Sequence, residues 1–328
     1  MKRLSVKAPT PCDVLIGETL LRDAGDLLRS AVGQGARAVL LTARTAGALW
    51  GDKLEASLSQ AGLSVSRIDL PDCDAQTVAR ALHDAEPTEK DALVVLGGGS
   101  LLDAVGNALK GEATGGFSVF LPTTLSAMLD TAVGGTTGGE PVPLPRAVFC
   151  DPCFLSTVPE DLNREGLARA IRYAVLFDRT LFDPLYGEID YPTLIRRCLS
   201  IKLDFLSSDP ERTGASRLLD GGRILGAAAN RAAGGELTPG EEIALGLAMS
   251  TRVARKNGFC RRDFLSDLTG LLTYRGLPHS VLLGDADLCA ELSALSPDGT
   301  LELVLPRRLG ECGVCRVKTA TLTDLLPS

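Results

Sequence analysis

The chain has 328 residues, enough for two domains, because single hydrophobic cores stop growing at roughly 250–300 residues. Its 34 Lys and Arg stand against 41 Asp and Glu, a net charge of -7, with no basic block able to track a phosphate backbone, so nucleic acid is not an expected partner. No apolar run approaches the ~20 residues that span a bilayer, and the opening MKRLSVKAPTPCDVLIG lacks a long apolar stretch followed by a small-residue cleavage site, so a cytoplasmic protein with no membrane partner is expected.

Nine cysteines, an odd number in a chain long enough to fold without covalent staples, read as reduced thiols. Histidine is scarce: only His83 and His279 occur.

In chain order, apolar runs of strand length alternate with helical patterns. ARAVLLTA (36–43) precedes a helix around 46–61; LSVSRIDL (63–70) precedes a helix around 75–85. DALVVLGGGSLLDAVGNALKG then reads as a buried strand, a glycine turn and a helix, and FSVFLP (117–122) and RAVFCDP (146–152) complete the set. Such alternation predicts a parallel sheet with crossover helices.

From about residue 153 the periodicity is helical, over 166–178, 194–206, 217–233 and 241–258. LELVLP (301–306) and CRVKTATL (315–322) allow either a small C-terminal hairpin or two return strands. The predicted architecture is an α/β N-terminal lobe over 1–152, Rossmann-like with a glycine-rich turn, and a mostly α-helical lobe over 153–328. The default position for a ligand is the cleft between lobes.

Gly97, Gly98 and Gly99 follow a strand and open a helix. There, backbone N–H groups and the helix dipole can cradle a pyrophosphate. The alternative is a tight turn that needs positive φ.

Four segments occur in order: VVLGGGSLLD, PTTLSAMLDTAVGGTTG (122–138), DPCFLSTVPEDLNREGLARAIRYAV (151–175) and GELTPGEEIALGLAMS (235–250). They resemble the glycine turn, the PTTLLAxVDSSVGGKTG, the DPxFLxTLPxRExxxGLAEVIKYG and the GELLHGEAVAIGM segments of the dehydroquinate synthase family, itself related to iron-containing alcohol dehydrogenases. The match runs from about residue 36 to 310.

The resemblance implies a homodimer with NAD as cofactor. Family nucleotide contacts carry over onto Gly97, Gly98, Gly99, Asp103, Thr123, Thr124, Asp130, Phe154 and Thr157. The acidic residue that would grip a ribose falls on Ala43 in LLTART, and the family's Glu-x-x-Lys nucleotide contact has no clear equivalent.

In this family NAD transiently oxidises a substrate alcohol while zinc polarises it, and phosphate elimination, reduction and ring closure follow. The three zinc donors fall on Arg169 in GLARAIRYA, Arg223 in GRILGAA and Pro239 in LTPGE, with Ala227 where a substrate-side histidine stands. A protonated guanidinium has no lone pair for a metal, and neither histidine lies near these segments in sequence. No zinc is expected.

The substrate-binding charges have thinned as well. The lysine of GGKTG is Thr136, the arginine before the PTT strand is Thr114, the lysine of IKYG becomes Arg172, and the asparagine of the NLGH segment is Asp220. The arginine upstream of that asparagine falls on Ser216, beside Arg217. The loop carrying a Lys-Asn pair shortens to GEPVPLPR (139–146), and a C-terminal DKK becomes DGT (298–300). Lys202 in SIKLDFL and Asp130 survive. The residual catalytic candidates are therefore Asp130, Lys202 and Arg172.

Arg169 and Arg172 share a helix face, with Arg223 arriving from another helix. Two readings stand: a salt-bridge network with Glu241, Glu242 or Asp220, or an anion pocket formed by Arg169, Arg172 and Arg223 for a carboxylate or phosphate. Two CxxC pairs, Cys150 with Cys153 and Cys312 with Cys315, read as packed free cysteines in strand-like sequence, with a structural zinc as the alternative.

The functional expectation is a family member without synthase activity, a pseudoenzyme or partner of an active enzyme, able to bind NAD. The alternative is a metal-independent NAD-dependent lyase or oxidoreductase acting on an anionic cyclitol, sugar phosphate or keto-acid.

Overall fold

The computed structural model describes residues 1–6, 11–33, 35–110, 116–134, 136–137, 140–141, 143–211, 213–281, 285–296 and 298–322. Thr114 lies outside them, as do residues 139 and 142 of the shortened loop and the side chain of Thr136.

The chain opens with β1 (Lys2–Val6), β2 (Cys12–Ile16) and α1 (Leu20–Val32). Next come β3 (Arg37–Ala43), α2 (Arg44–Ala46), a π-helical turn at Gly47–Gly51 and α3 (Asp52–Gln60), one continuous right-handed rod. β4 (Ser64–Leu70), α4 (Ala75–Ala85), β5 (Ala92–Gly97), α5 (Gly99–Ala108), β6 (Phe117–Pro122) and α6 (Leu125–Leu129) follow. The short β7 (Thr136–Thr137) and β8 (Glu140–Pro141) pair antiparallel before β9 (Ala147–Cys150). Then come α7 (Glu160–Leu176), α8 (Tyr191–Ser208), α9 (Arg223–Ala232), α10 (Pro239–Lys256), α11 (Arg262–Tyr274) and α12 (Asp285–Leu295), and finally β10 (Thr300–Arg308) and β11 (Glu311–Lys318).

The chain divides into two compact units: Met1–Asn163 with Tyr191–Glu211, and Arg164–Asp190 with Arg212–Ser328. A boundary at 152/153 supposes one crossing between lobes, whereas the chain crosses three times.

The first unit is built on a seven-stranded sheet of order β1-β2-β9-β6-β5-β3-β4. From β2 to β4 all neighbours are parallel; β1 is antiparallel to β2 and occupies the edge. All six residues of β5 are buried, as expected of a strand covered on both faces by crossover helices. The antiparallel β1 and the helix α1 escape a reading based on apolar runs, because β1 buries only Val6.

α8 belongs to the first unit because of its apolar stripe. Leu194, Ile195, Cys198, Leu199, Leu203 and Leu206 are buried at helical spacing, and the helix packs on β1, β2 and α6. Lys202 falls on this stripe and is buried with it.

The second unit is helical, as the sequence predicts, and the late strands form a hairpin pairing Leu303 with Cys315. Leu225, Leu245, Met249, Val253, Leu288, Leu292, Leu301, Leu305 and Val317 form its core. α9 and α10 approach backbone to backbone: a Cβ on Gly246 would lie 1.8 Å from the Gly222 carbonyl oxygen, and one on Gly226 would lie 2.0 Å from that of Glu242. α10 starts with a capping box in which Thr238 accepts from the Glu241 N–H and Glu241 accepts from the Thr238 N–H, with Pro239 at the first helical position. Among the described residues no helix is long and apolar enough to cross a membrane.

Candidate functional site

In the first unit, β3, β5 and β6 run parallel and end together, with Thr42 opposite Leu96 and Gly97 opposite Pro122. Connections from β3 lead outward to β4, while those from β5 lead the other way to β6, so the strand order reverses between β3 and β5. In open α/β sheets ligands bind at the carboxyl ends of the strands beside such a reversal. Gly97, Gly98, Gly99, Thr123 and Thr124 all fall at this edge.

The glycines answer to tight space and not to a left-handed backbone. None of the three has positive φ; Gly98 is extended at φ −81° and ψ −176°. A Cβ on Gly97 would sit 2.8 Å from Leu101 Cδ2, one on Gly98 would sit 3.3 Å from Thr124 Cγ2, and one on Gly99 would sit 3.2 Å from Thr131 Oγ1. The turn is therefore narrow, and α5 begins at it with no side-chain cap on its first N–H groups. Uncapped N–H groups behind a strand-to-helix glycine turn suit an anionic pyrophosphate.

Around this turn the Thr123 N–H donates to the Gly97 carbonyl at 2.9 Å. Thr124 caps α6 by accepting from the Ala127 N–H at 3.3 Å. Asp103 lies half-buried on α5. Phe154 is fully buried in the 3₁₀ turn Pro152–Thr157, held by Asp151, whose carboxylate accepts from the Cys153 N–H and from the Leu21 N–H.

Trp50, which the sequence reading passed over, joins this group. Its ring meets Phe154 edge-on at 5.4 Å, its Nε1–H donates to Thr157 Oγ1 at 3.3 Å, and Lys53 Nζ stands 4.7 Å above the ring. Being the lone tryptophan was its only mark in the sequence, and no local pattern joined it to Phe154.

Asp130 and Lys202, 72 residues apart, are brought into contact. The Lys202 ammonium donates to the Asp130 carbonyl at 2.6 Å and to its Oδ1 at 2.5 Å. The lysine side chain is 2 % exposed and the aspartate 31 %, so the charge pair has one dry and one wet member.

In the second unit the arginines have specific surroundings. Arg169, 13 % exposed, lies 3.8 Å from Glu165 one turn earlier on α7 and also donates to the Glu165 carbonyl at 3.1 Å. Glu165 Oε2 in turn accepts from the Gly240 N–H at 3.2 Å, at the start of α10, where a carboxylate also suits the helix dipole. α7 and α10 are close there: a Cβ on Gly240 would sit 2.6 Å from Glu165 Cα. The sequence reading overlooked Glu165, although its i, i+4 spacing to Arg169 was a usable signal.

Arg172 is buried, its guanidinium 5.8 Å from the Tyr173 ring centre. Arg223 opens α9 and pairs with Asp220 at 3.3 Å, both side chains about half exposed. A cavity of about 180 Å³ beside Arg223 is lined by Arg217, Asp220, Ser250 and Glu302 among others, and neither Arg169 nor Arg172 contributes to it. Glu302 bridges Arg316 and Arg217, both at 3.1 Å, which hold its carboxyl below the usual range, Arg316 most strongly. Of the acidic residues proposed to neutralise the arginines, Asp220 does so for Arg223. Glu241 instead closes the α10 capping box, and Glu242 accepts from Asn230 Nδ2 at 2.6 Å.

The nine cysteines are free thiols. Cys150 is fully buried in β9 and burial pushes its thiol up strongly; Cys153, by burial and then by its bond to Asp151, and Cys312, by burial, are each pushed up to about 12. Protonated thiols of this kind pack as small apolar groups.

Family models match along the chain in sequence: iron-containing alcohol dehydrogenase over residues 11–109, 3-dehydroquinate synthase N-terminal over 73–165, and 3-dehydroquinate synthase C-terminal over 166–298. The chain is 29% identical over 350 aligned residues to 3-dehydroquinate synthase of Synechococcus sp., covering 96% of this chain and 93% of that one. It is 28% identical over 348 to the Streptococcus pneumoniae enzyme of the same name, covering 96% and 97%. In fold it resembles ValA, a 2-epi-5-epi-valiolone synthase from Streptomyces hygroscopicus subsp. jinggangensis solved with NAD+ and Zn2+ bound. The TM-score is 0.83 at 24% identity, covering 99% of this chain and 98% of that one. It also resembles a 2-deoxy-scyllo-inosose synthase complexed with carbaglucose-6-phosphate, NAD+ and Co2+, with a TM-score of 0.80 at 17% identity over 99% of both chains.

The fold, with its glycine turn at the strand-order reversal and its helical second unit, is that of the dehydroquinate synthase-like and iron-containing alcohol dehydrogenase class. Within that class, the chain belongs to the dehydroquinate synthase family.

Proposed function

We propose that this chain is a dinucleotide-binding member of the dehydroquinate synthase family that does not carry out the family's zinc-assisted cyclisation and serves as a pseudoenzyme or as the partner of an active enzyme. The observation that carries this reading is the environment of Arg169, at one of the family's zinc-donor positions. Its guanidinium is packed against Glu165, and Glu165 is bound to the first turn of α10. A guanidinium has no lone pair, and the other two donor positions hold Arg223 and a helix-starting proline. These residues do not fit a divalent ion.

The dinucleotide half rests on a cradle that does fit its group. The narrow turn at Gly97, Gly98 and Gly99 exposes the start of α5, and Thr123 and Thr124 stand against it. A bound nicotinamide dinucleotide would supply hydride chemistry. The chain's own contribution is to hold the pyrophosphate on backbone N–H groups and to hold Lys202 against Asp130. We further propose a cytoplasmic homodimer.

The contact of buried Lys202 with part-exposed Asp130 favours the second reading, a metal-independent redox or elimination step on a small anionic substrate. One experiment separates the two. Full-length protein is incubated with the phosphorylated seven-carbon sugar that the family cyclises, with and without added zinc, and phosphate release and bound metal are measured. The expected result is no phosphate release and no stoichiometric zinc. Release of phosphate by a zinc-loaded protein overturns the proposal, and nucleotide reduction with any anionic polyol or keto-acid supports the second reading in its place.

A further inference from the structure

β3 ends at Ala43, directly beside the glycine turn. Thr42 pairs with Leu96, and a Cβ on Gly97 would lie 3.5 Å from Ala43 Cβ. This is the strand end across the reversal from the pyrophosphate cradle, where a Rossmann-type site meets the adenosine ribose. A free ribose carries hydroxyl donors, which a carboxylate accepts; a ribose bearing a 2′-phosphate would be repelled by a carboxylate and calls for a cation.

At this strand end a methyl group stands where the ribose-gripping acid would be, and the next residue is Arg44. Arg44 is exposed at the start of α2, and among the described residues no ion pair or side-chain hydrogen bond engages it. The nearest carboxylate in the sheet is Asp69 on β4, opposite Thr42. Asp69 is already engaged: its Oδ1 accepts from Arg67 Nε at 3.0 Å and would lie 2.5 Å from a Cβ on Gly47. Arg67 also gathers Asp52 and Glu55 and donates to the Gly47 carbonyl, so it is committed along α3. Arg44 is the arginine left available at the end of β3.

We propose that the first unit selects a dinucleotide carrying a 2′-phosphate, NADP(H), over NAD(H): Arg44 binds the phosphate, and Ala43 removes the carboxylate that would hold a free ribose hydroxyl. This rests on the dinucleotide reading of the glycine turn and changes the cofactor that the family resemblance implies.

The test is an equilibrium titration of the full-length protein with NADPH and with NADH, followed by calorimetry or by quenching of the lone tryptophan, Trp50. NADPH is expected to bind at least about tenfold more tightly, and Arg44→Ala to weaken NADPH by ~10–100-fold while changing NADH less than about twofold, the range of one or two charge-assisted hydrogen bonds. Ala43→Asp should shift preference toward NADH, and adenosine 2′,5′-bisphosphate should compete better than 5′-AMP. Equal or tighter binding of NADH by the unaltered protein, or equal weakening of both nucleotides by Arg44→Ala, overturns the assignment and leaves the dinucleotide reading intact. Binding of neither nucleotide overturns that reading and the assignment together.

Discussion

The ammonium of Lys202 is buried against the carboxylate and the carbonyl of Asp130, although the lysine lies on the apolar stripe of its own helix. Burying a charge is tolerated only with a partner, and removing one member of such a pair costs far more than replacing both. Asp130→Ala is therefore expected to destabilise the protein by ~3 kcal/mol in urea unfolding, and Lys202→Met by less, because Asp130 keeps access to water. If the double variant is as unstable as the sum of the two singles, the pair is not coupled as described.

Glu165 links two elements of the second unit, Arg169 on α7 and the Gly240 N–H of α10. Glu165→Gln keeps the shape and loses the charge, so both contacts weaken. A loss of ~1–2 kcal/mol is expected, the usual size for hydrogen bonds to a charged group. Hydrogen exchange at the first turn of α10 should rise with it; unchanged exchange there would show that the capping box alone holds that turn.

Gly246 and Gly222 mark the crossing of α9 and α10. A methyl group at 246 would overlap the Gly222 carbonyl oxygen, which is backbone and cannot rotate away. Gly246→Ala should destabilise by ~3 kcal/mol despite its better helix propensity, because overpacking at a backbone contact outweighs the ~1 kcal/mol propensity gain. A neutral or stabilising result in thermal unfolding would contradict the close approach.

Asp91 carries the pH dependence most open to measurement. Its carboxylate accepts from Arg37 at 2.8 Å and from the Thr88 N–H and hydroxyl at 2.8 and 2.9 Å, and these bonds, Arg37 first, hold its carboxyl below the usual value of 3.8. A depressed folded value means that the stabilisation is present above the unfolded pKa and is lost as pH falls through the folded one. Asp91→Asn should therefore cost ~1–2 kcal/mol near neutral pH, with the difference from the unaltered chain shrinking below about pH 4. A difference independent of pH would assign the effect to packing.

Much of the first unit was legible because its signals are local. Buried strands such as Ala92–Gly97 are continuous apolar runs, and the helix Ala75–Ala85 begins at Asp74, whose side chain accepts from the Gln76 and Thr77 N–H groups. β1 was not legible: it is half polar, and only pairing with β2 makes it a strand. Likewise the π-helical turn at Gly47–Gly51 carries no sequence periodicity of its own; it sits where Gly47 and Gly51 crowd Asp69 and Arg67 from the adjoining strand.

The site divides the same way. The sequence by itself determined which side chains are available: arginine at 169 and 223 and proline at 239, the positions onto which the resemblance places the zinc donors, three glycines at a strand end, and an alanine closing β3 with an arginine after it. Those are statements of chemical identity, and side-chain chemistry does not depend on the fold. Tertiary structure alone decided what those side chains meet. It brought Lys202 to Asp130, gave Arg169 to Glu165 and Arg223 to Asp220, diverted Glu241 into a helix cap, and set Ala43 against Gly97. Ion pairs and close backbone approaches join residues far apart in the chain, and their partners are chosen by packing.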